Sequence, residues 1–579
     1  MIRLIIKILH VLFIVFCFNI PSYANYYNIN IDDIYYDLNE DNYSAEVVRD
    51  LKYYSLYSGD IIIPKEIVYR GDSYTVTGID DLAFWDCSGL SSITIPNSVT
   101  AIGYWAFYNC TGLISVTIPN SVTSIGYSAF GNCTGLTSVS IGSGLNSVGY
   151  SPFEGCTNLS SIKIDKSNTS LNDGNGSNCI INTYYKTLIQ GCKTTIIPDG
   201  VENIDNCAFL NCSGLTSITI PNSVKSIRYC AFGYCAGLTS VTIPQSVNNM
   251  GSGVFMGCNN LSSIKVAPNN TTYNDGNGSN CIINTLSMEL IQGCKSTVVP
   301  NGVTTIGYEA FAVIKTLSSI NIPNSVTRIG REAFINCSGL ESIKIPDSVT
   351  EIGKEAFCGC SSLSSVIIGN GVTNIGEYSF QDCISLVSVI IPDNVINIEF
   401  EAFCGCSSLS SVIIGDGVIN IGDRSFEDCV NLKSIVIGNS VNKIGSRAFL
   451  NCSSLTYVII PNSVKEIGYN TFGKCTCDIF CNKEMPPNAY NAFNEDMTAY
   501  VPENSIDIYK ESEGWSEMII RAIETTDIKD IYEISDSENI NDKVVIDYYD
   551  IHGCRLKEIQ KGLMILKFND GSFKKVLVR

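Results

Sequence analysis

Histidine, cysteine and paired carboxylates are the side chains most able to do chemistry, and this chain of 579 residues places each of them in a revealing way. Histidine, the commonest acid–base and metal-binding group near neutral pH, occurs only as His10 and His552. A Ser–His or Cys–His device needs a histidine held by the scaffold, and the repeated middle of the chain contains none. Catalytic residues are therefore expected to be absent. Carboxylate pairs would suffice for a glycosidase, but acidic residues such as Glu351, Glu377 and Asp423 stand at variable turn positions with no convergent partner. Cysteine is abundant, with 26 copies. Cys358-x-Cys360 and Cys404-x-Cys406 are too close for the usual zinc knuckle, so no metal and no cofactor is expected. The "NDGNGSN" loops carry one carboxylate each, Asp173 or Asp275, where calcium would collect several; they read as glycine-rich turns.

What organises these residues is a ruler of phenylalanines. Phe84, Phe107, Phe130 and Phe153 are 23 residues apart; Phe209, Phe232 and Phe255 follow a gap of 56; Phe311 opens a last run in steps of 23 to Phe472. Each gap is two periods plus ten residues, so the register survives it. Fourteen of these 15 phenylalanines have cysteine three residues later, from Cys87 to Cys475, and Ile314 is the exception. One cysteine per repeat, stacked at the strand spacing of ~4.8 Å, makes a ladder of small buried apolar groups. Cys179/Cys192 and Cys281/Cys294 differ: each pair is 13 residues apart and flanks a duplicated insert, where opposed strands could bring the sulfurs within disulfide reach. The alternative is four reduced thiols copied with the insert. "NCT" and "NCS" recur, as at Asn109, Asn132 and Asn451, and are weak evidence for glycosylation.

Within a repeat, Leu113, Val116 and Ile118 point inward and alternate with Ser115 and Thr117, the period of a half-buried strand. Pro119 ends the strand, and Val122 and Ile125 supply the next inward points. No coil buries its own apolar residues; stacking does. The expected fold class is an α/β to mainly β repeat protein: a solenoid of about 17 coils of 23 residues, with a parallel strand ladder, β-rich end caps and a small C-terminal β domain.

"IPNSVTSIGYSAFGNCTGLTSVSI" resembles the BspA-like subclass of leucine-rich repeats over roughly residues 80 to 480. That family consists of bacterial surface proteins, with members in some parasitic protists, and comparable inserts and end units occur in it. The resemblance implies a non-enzymatic adhesin, binding host matrix proteins such as fibronectin or fibrinogen, or other bacteria.

The flanks fit that organisation. Arg3 and Lys7 precede an apolar run ending at Ser22-Tyr23-Ala24, so residues 1–24 read as a signal peptide, with no transmembrane span in the mature chain. Residues 25–80 form the N-terminal cap; 81–476 the solenoid, with hairpin inserts at about 165–197 and 267–299; 477–525 the C-terminal cap; 526–543 an acidic linker; 544–579 a small β domain. The last segment, "YYDIHGCRLKEIQKGLMILKFNDGSFKKVLV", resembles the sorting domains of type IX secretion cargo, with Cys554 and Met564 departing from the pattern. That implies an exported protein on the outer membrane of a Gram-negative cell or released from it. A net charge of −20 argues against nucleic acid.

Ten residues after each ruler phenylalanine, the outward strand position runs through Thr94, Thr117, Ser140 and Lys163, and later Asn321 and Lys344. It then turns apolar at Ile367, Ile390, Ile413, Val436 and Ile459, with Tyr457 two residues before the last. Five coils would thus display a β-branched strip. Three explanations are open: a docking strip for a partner, lateral sheet packing, or cover by the C-terminal flank. Two other functions remain possible, a glycan-capturing surface protein for nutrient uptake and a passive envelope spacer.

Overall fold

The computed structural model describes residues 28–49 and 57–523, and the backbone of four strands between Val545 and Val578. The chain is a β-solenoid of about 19 turns, divided into two compact units, residues 1–176 and 177–579. The segments read as a signal peptide (1–24) and an acidic linker (526–543) lie outside the described residues.

Each coil contributes strands to two ladders. In the first unit Ser115–Ile118, Ser138–Ile141 and Ser161–Ile164 pair in parallel without a slip, so that Ser138 stands between Ser115 and Ser161. Val116 and Ile118 are buried while Ser115 and Thr117 are exposed, which follows from the two-residue period of the pleat. The second ladder is made of two-residue strands, Ala101–Ile102, Ser124–Ile125 and Ser147–Val148. The second unit repeats this plan, with twelve strands in its longest sheet.

Between the ladders the phenylalanines stack face to face. Phe84 and Phe107 lie 4.8 Å apart between ring centroids with planes 3° from parallel, and Phe403 and Phe426 lie 5.3 Å apart at 2°. Each ring is flanked by two residues in the left-handed region, two before and two after it: Trp105 (φ 51°) and Asn109 (φ 62°) around Phe107, Glu401 (φ 52°) and Gly405 (φ 74°) around Phe403. That conformation is costly for most side chains but easy for Asn, Asp and Gly. The second position is Asn, Asp or Gly in twelve of the fifteen repeats, with Tyr234, Val313 and Lys474 as the exceptions. The asparagine of the recurring "NC" suits this backbone, and its side chain also bonds to the preceding coil, as Asn451 Nδ2–H does to Asp428 Oδ1 at 2.7 Å.

The inserts are antiparallel hairpins, Ile180–Asn182 with Thr187–Gln190 and Ile282–Asn284 with Glu289–Gln292. Their coils have no phenylalanine. The ring of Phe311 instead lies over Gly293, where a Cβ would come within 2.1 Å of its Cε1, and Phe209 covers Gly191 at 2.0 Å. The buried Gln292 amide Nε2–H donates to Gly293 O (2.9 Å) and Ala310 O (3.1 Å), and its Oε1 accepts from the Phe255 N–H (3.2 Å). One side chain thereby joins coils that the missing turn would leave unpaired.

The ends of the solenoid are themselves partly coils, which is why the turns exceed the 17 expected. Gly59–Ile62 runs parallel to Leu90–Thr94. Asp478–Cys481, Thr498–Val501 and Ile519–Ala522 extend the parallel ladder past Tyr457–Ile460. The spine ends when Phe493 stacks 5.7 Å from Phe472 and meets Trp515. Trp515 is fully buried, and its Nε1–H donates to Pro487 O at 2.9 Å. A helix, Ile506–Glu511, packs its Tyr509 under this end. Beyond it, Val545–Asp550, Arg555–Leu556, Gly562–Phe568 and Phe573–Val578 form a four-stranded antiparallel sheet, the small β domain expected of the tail.

Candidate recognition face

The cysteine ladder does more than fill space. Cys110 Sγ–H donates to Phe84 O at 3.1 Å, Cys235 to Phe209 O at 3.1 Å and Cys429 to Phe403 O at 3.3 Å, always 26 residues back. The same phenylalanine oxygen also accepts the backbone N–H of its own coil's cysteine, as Phe84 O does from Cys87 N at 3.2 Å. Both lone pairs of a buried carbonyl are thus used. Ile314 and Cys212 both follow an inserted coil, where no phenylalanine carbonyl lies 26 residues back, so the missing acceptor does not account for the isoleucine. Burial pushes the Cys337 thiol up to about 12 and Cys360 well above its ordinary value, which makes these rungs poor nucleophiles; at the last rung the Cys477 side chain lowers Cys475 instead.

The structure holds the four insert cysteines unbonded. Cys179, Cys192, Cys281 and Cys294 are all buried free thiols. Cys192 Sγ–H donates to Asn178 O and Cys294 Sγ–H to Asn280 O, each at 3.4 Å. Cys281 and Cys294 pack into different apolar clusters.

Among the described residues no group of three or more His, Cys, Asp or Glu is placed to hold a metal. Asp173 and Asp275 close their own loops, accepting from Gly176 N and Gly278 N at 3.1 Å. The variable carboxylates pair with neighbouring coils instead of converging: Glu351 with Arg328 at 3.1 Å and Glu377 with Lys354 at 2.9 Å. Asp423 accepts the Ser446 N–H at 2.8 Å.

The apolar strip is real in register and broken in exposure. Ile390, Ile413 and Val436 are cross-strand neighbours. Ile367 and Ile390 are 56% and 50% exposed, whereas Ile413 and Val436 are buried at 6% and 8%. The expectation of five displayed residues is thereby corrected: Ile413 and Val436 pack on each other and on the half-buried Ile459. Tyr457 is half-buried and meets Phe480 edge-on at 6.4 Å. The column then continues beyond the repeats, through Phe480 opposite Ile459 and Tyr500 opposite Phe480, with those two rings stacked at 4.7 Å.

Several members were missed in the sequence. Ile384 and Val387, in the coil of Ile390, are also exposed, and with Ile367 they make the free apolar area two coils wide. Ile196 and Val298, 71% and 68% exposed, stand 13 residues before Phe209 and Phe311, the position Thr219 holds before Phe232. Counting backward from the ruler across each insert would have found them.

In the described residues no helix is long and apolar enough to cross a membrane. Among curated proteins none matches this chain. Among solved structures, a leucine-rich cell surface protein from Faecalibacterium prausnitzii is 25% identical, covering 72% of this chain and 95% of its own, with a TM-score of 0.40. A leucine-rich repeat protein from Bacteroides ovatus is 27% identical, covering 86% and 100%, with a TM-score of 0.36. The family model for the BspA type leucine rich repeat region matches residues 72–182, 180–292, 292–399 and 373–493. The chain belongs to the BspA-type leucine-rich-repeat family.

Proposed function

We propose that this protein is a non-enzymatic recognition protein of the bacterial surface, exported through its N-terminal leader, that docks a protein partner on the outward face of its first sheet around Ile367 and Ile390. One observation carries the reading: two successive coils expose Ile367, Ile384, Val387 and Ile390, and in the column of Ile367 and Ile390 the first four coils present Thr94, Thr117, Ser140 and Lys163. Ile367 and Ile390 on neighbouring parallel strands, with Ile384 and Val387 in the loop before the second strand and Lys344 beside Ile367, have the composition of an interface core with a polar rim. The family supports a protein-interaction role, and the partner class drawn from the resemblance is host matrix protein or another cell. The type IX likeness of the tail suggests the export route.

The test is solid-phase binding of the full chain to immobilised fibronectin and fibrinogen, with albumin as control. Saturable binding is expected, weakened about tenfold or more by Ile367→Lys together with Ile390→Lys. Binding that ignores the double change in a protein of unaltered melting temperature would sink this face as the site. Silence on both matrix proteins would sink the partner class.

A further inference from the structure

A second feature lies wholly within the first unit. A cavity of about 580 Å³ opens beside the C-terminal ends of the strands Leu90–Thr94, Ser115–Ile118 and Ser138–Ile141. Its origin is visible in the repeat. Twelve residues after the phenylalanine the first two coils carry Pro96 and Pro119, the third carries Gly142 and the fourth Asp165. The loss of the proline ring at Gly142 lowers the floor, and Asp165 sets a carboxylate at one wall. Thr94, Thr117 and Ser140 line it as rungs one strand apart, with Asn97 and Asn120 at the turns.

The hydrogen-bonding capacity of these groups is largely unspent. Among the described residues the side chains of Thr94, Thr117, Ser140 and Asn97 have no hydrogen-bond partner, and Asn120 uses only its Oδ1, for Ser143 N at 3.0 Å. The equivalent turns of the second unit make the same closing bond, Asp416 N–H to Asp393 Oδ1 at 2.9 Å, and there Asp416 Oδ1 also takes the side-chain amide of Asn439 at 3.0 Å, a use that Asn120 Nδ2 does not have. Asp165 Oδ1 is held by the Ser167 hydroxyl (2.6 Å) and N–H (2.8 Å), which lowers its pKa and leaves Oδ2 unused.

The chemistry of the lining selects the ligand. No cation lines the cavity and one carboxylate does, so phosphates and acidic polymers are repelled. The backbone offers nothing to an incoming strand, since Gly142 N–H and Asp165 N–H already serve Ile118 O and Ile141 O at 2.9 and 2.8 Å; a peptide could not add by strand pairing. What remains is a row of hydroxyls at the strand spacing of ~4.8 Å, two amides and a carboxylate oxygen able to accept a pair of hydroxyls. We infer that this cavity is a binding subsite for an uncharged oligosaccharide, distinct from the apolar face of the second unit.

The experiment is a glycan array followed by calorimetric titration of the full chain with neutral hexasaccharides (cellohexaose, maltohexaose, chitohexaose), with hexa-aspartate as the acidic control. At least one neutral glycan binds, Thr117→Val weakens it about fivefold and Asp165→Asn about tenfold, and Ile390→Lys leaves it unchanged. Thr117→Val is nearly isosteric at an exposed site, so it keeps the test readable should Asp165→Asn disturb its loop. The inference fails if no neutral glycan binds, if only acidic glycans bind, or if Thr117→Val leaves the binding as tight as before. Because the apolar face is untouched by either cavity substitution, loss of one site is separable from loss of the other.

Discussion

The Cys383 thiol donates to the carbonyl oxygen of Phe357, one coil back, at 3.3 Å, and that oxygen also accepts the Cys360 N–H at 3.2 Å. The relationship gives the ladder cysteines a packing and hydrogen-bonding role. A thiol committed as donor and walled in by the phenylalanine spine is neither a nucleophile nor half of a disulfide. Thiol titration is expected to label almost none of the ladder in the native protein and all of it in guanidinium, with the same melting temperature with and without reductant. A drop in melting temperature on reduction would show that Cys179/Cys192 or Cys281/Cys294 is bonded after all.

Gly293 is required by a ring. An alanine methyl there would lie 2.1 Å from Phe311 Cε1, so Gly293→Ala must displace the first ring of a stack that continues through Phe334. Overpacking of this kind costs about 1–3 kcal/mol. Urea unfolding followed by fluorescence should show that loss, and a neutral Gly293→Ala would mean the ring has room to move.

The first unit should lose stability as pH rises from about 4.5 to 7. Glu154 is buried between coils, and burial raises its carboxyl from 4.5 to about 7. The folded state therefore holds a proton that the unfolded chain releases near 4.5, and stability falls between about pH 4.5 and 7. The full loss is roughly 3 kcal/mol, from ~1.4 kcal/mol per unit of pKa difference. Amide exchange over Ser151–Cys156 should quicken beyond its intrinsic pH dependence across that window, and Glu154→Gln should abolish the excess. An excess that survives Glu154→Gln assigns the effect to another group.

How much of this was legible depended on the range of the interaction. The period, the spine, the thiol ladder and the hairpins all arise between adjacent coils, and each repeats often enough to be read from spacing. Asn132 was misleading because a left-handed backbone and a glycosylation motif favour the same residue; only the φ of 56° separates them. Ile413 was unreadable in principle, since "SVII" precedes both Gly415 and Pro392, and nothing local distinguishes the buried isoleucine from the exposed Ile390.

That last contrast yields the sharpest test of the face. Ile390 and Ile413 occupy one column on neighbouring strands, yet lysine should be received differently at each. At Ile390, half exposed, Ile390→Lys changes an outward side chain and should shift stability by no more than about 0.5 kcal/mol. At Ile413 the ammonium would enter the cluster with Val436 and Ile459, and burying an unpaired charge with loss of apolar contact should cost about 2 kcal/mol or more. Urea midpoints of the two single variants decide it. Equal midpoints would mean that Ile413 is as accessible as Ile390 and that the strip runs unbroken, which would move the centre of the proposed interface two coils toward Tyr457; a lower midpoint for Ile413→Lys alone confines the free apolar surface to the coils of Ile367 and Ile390.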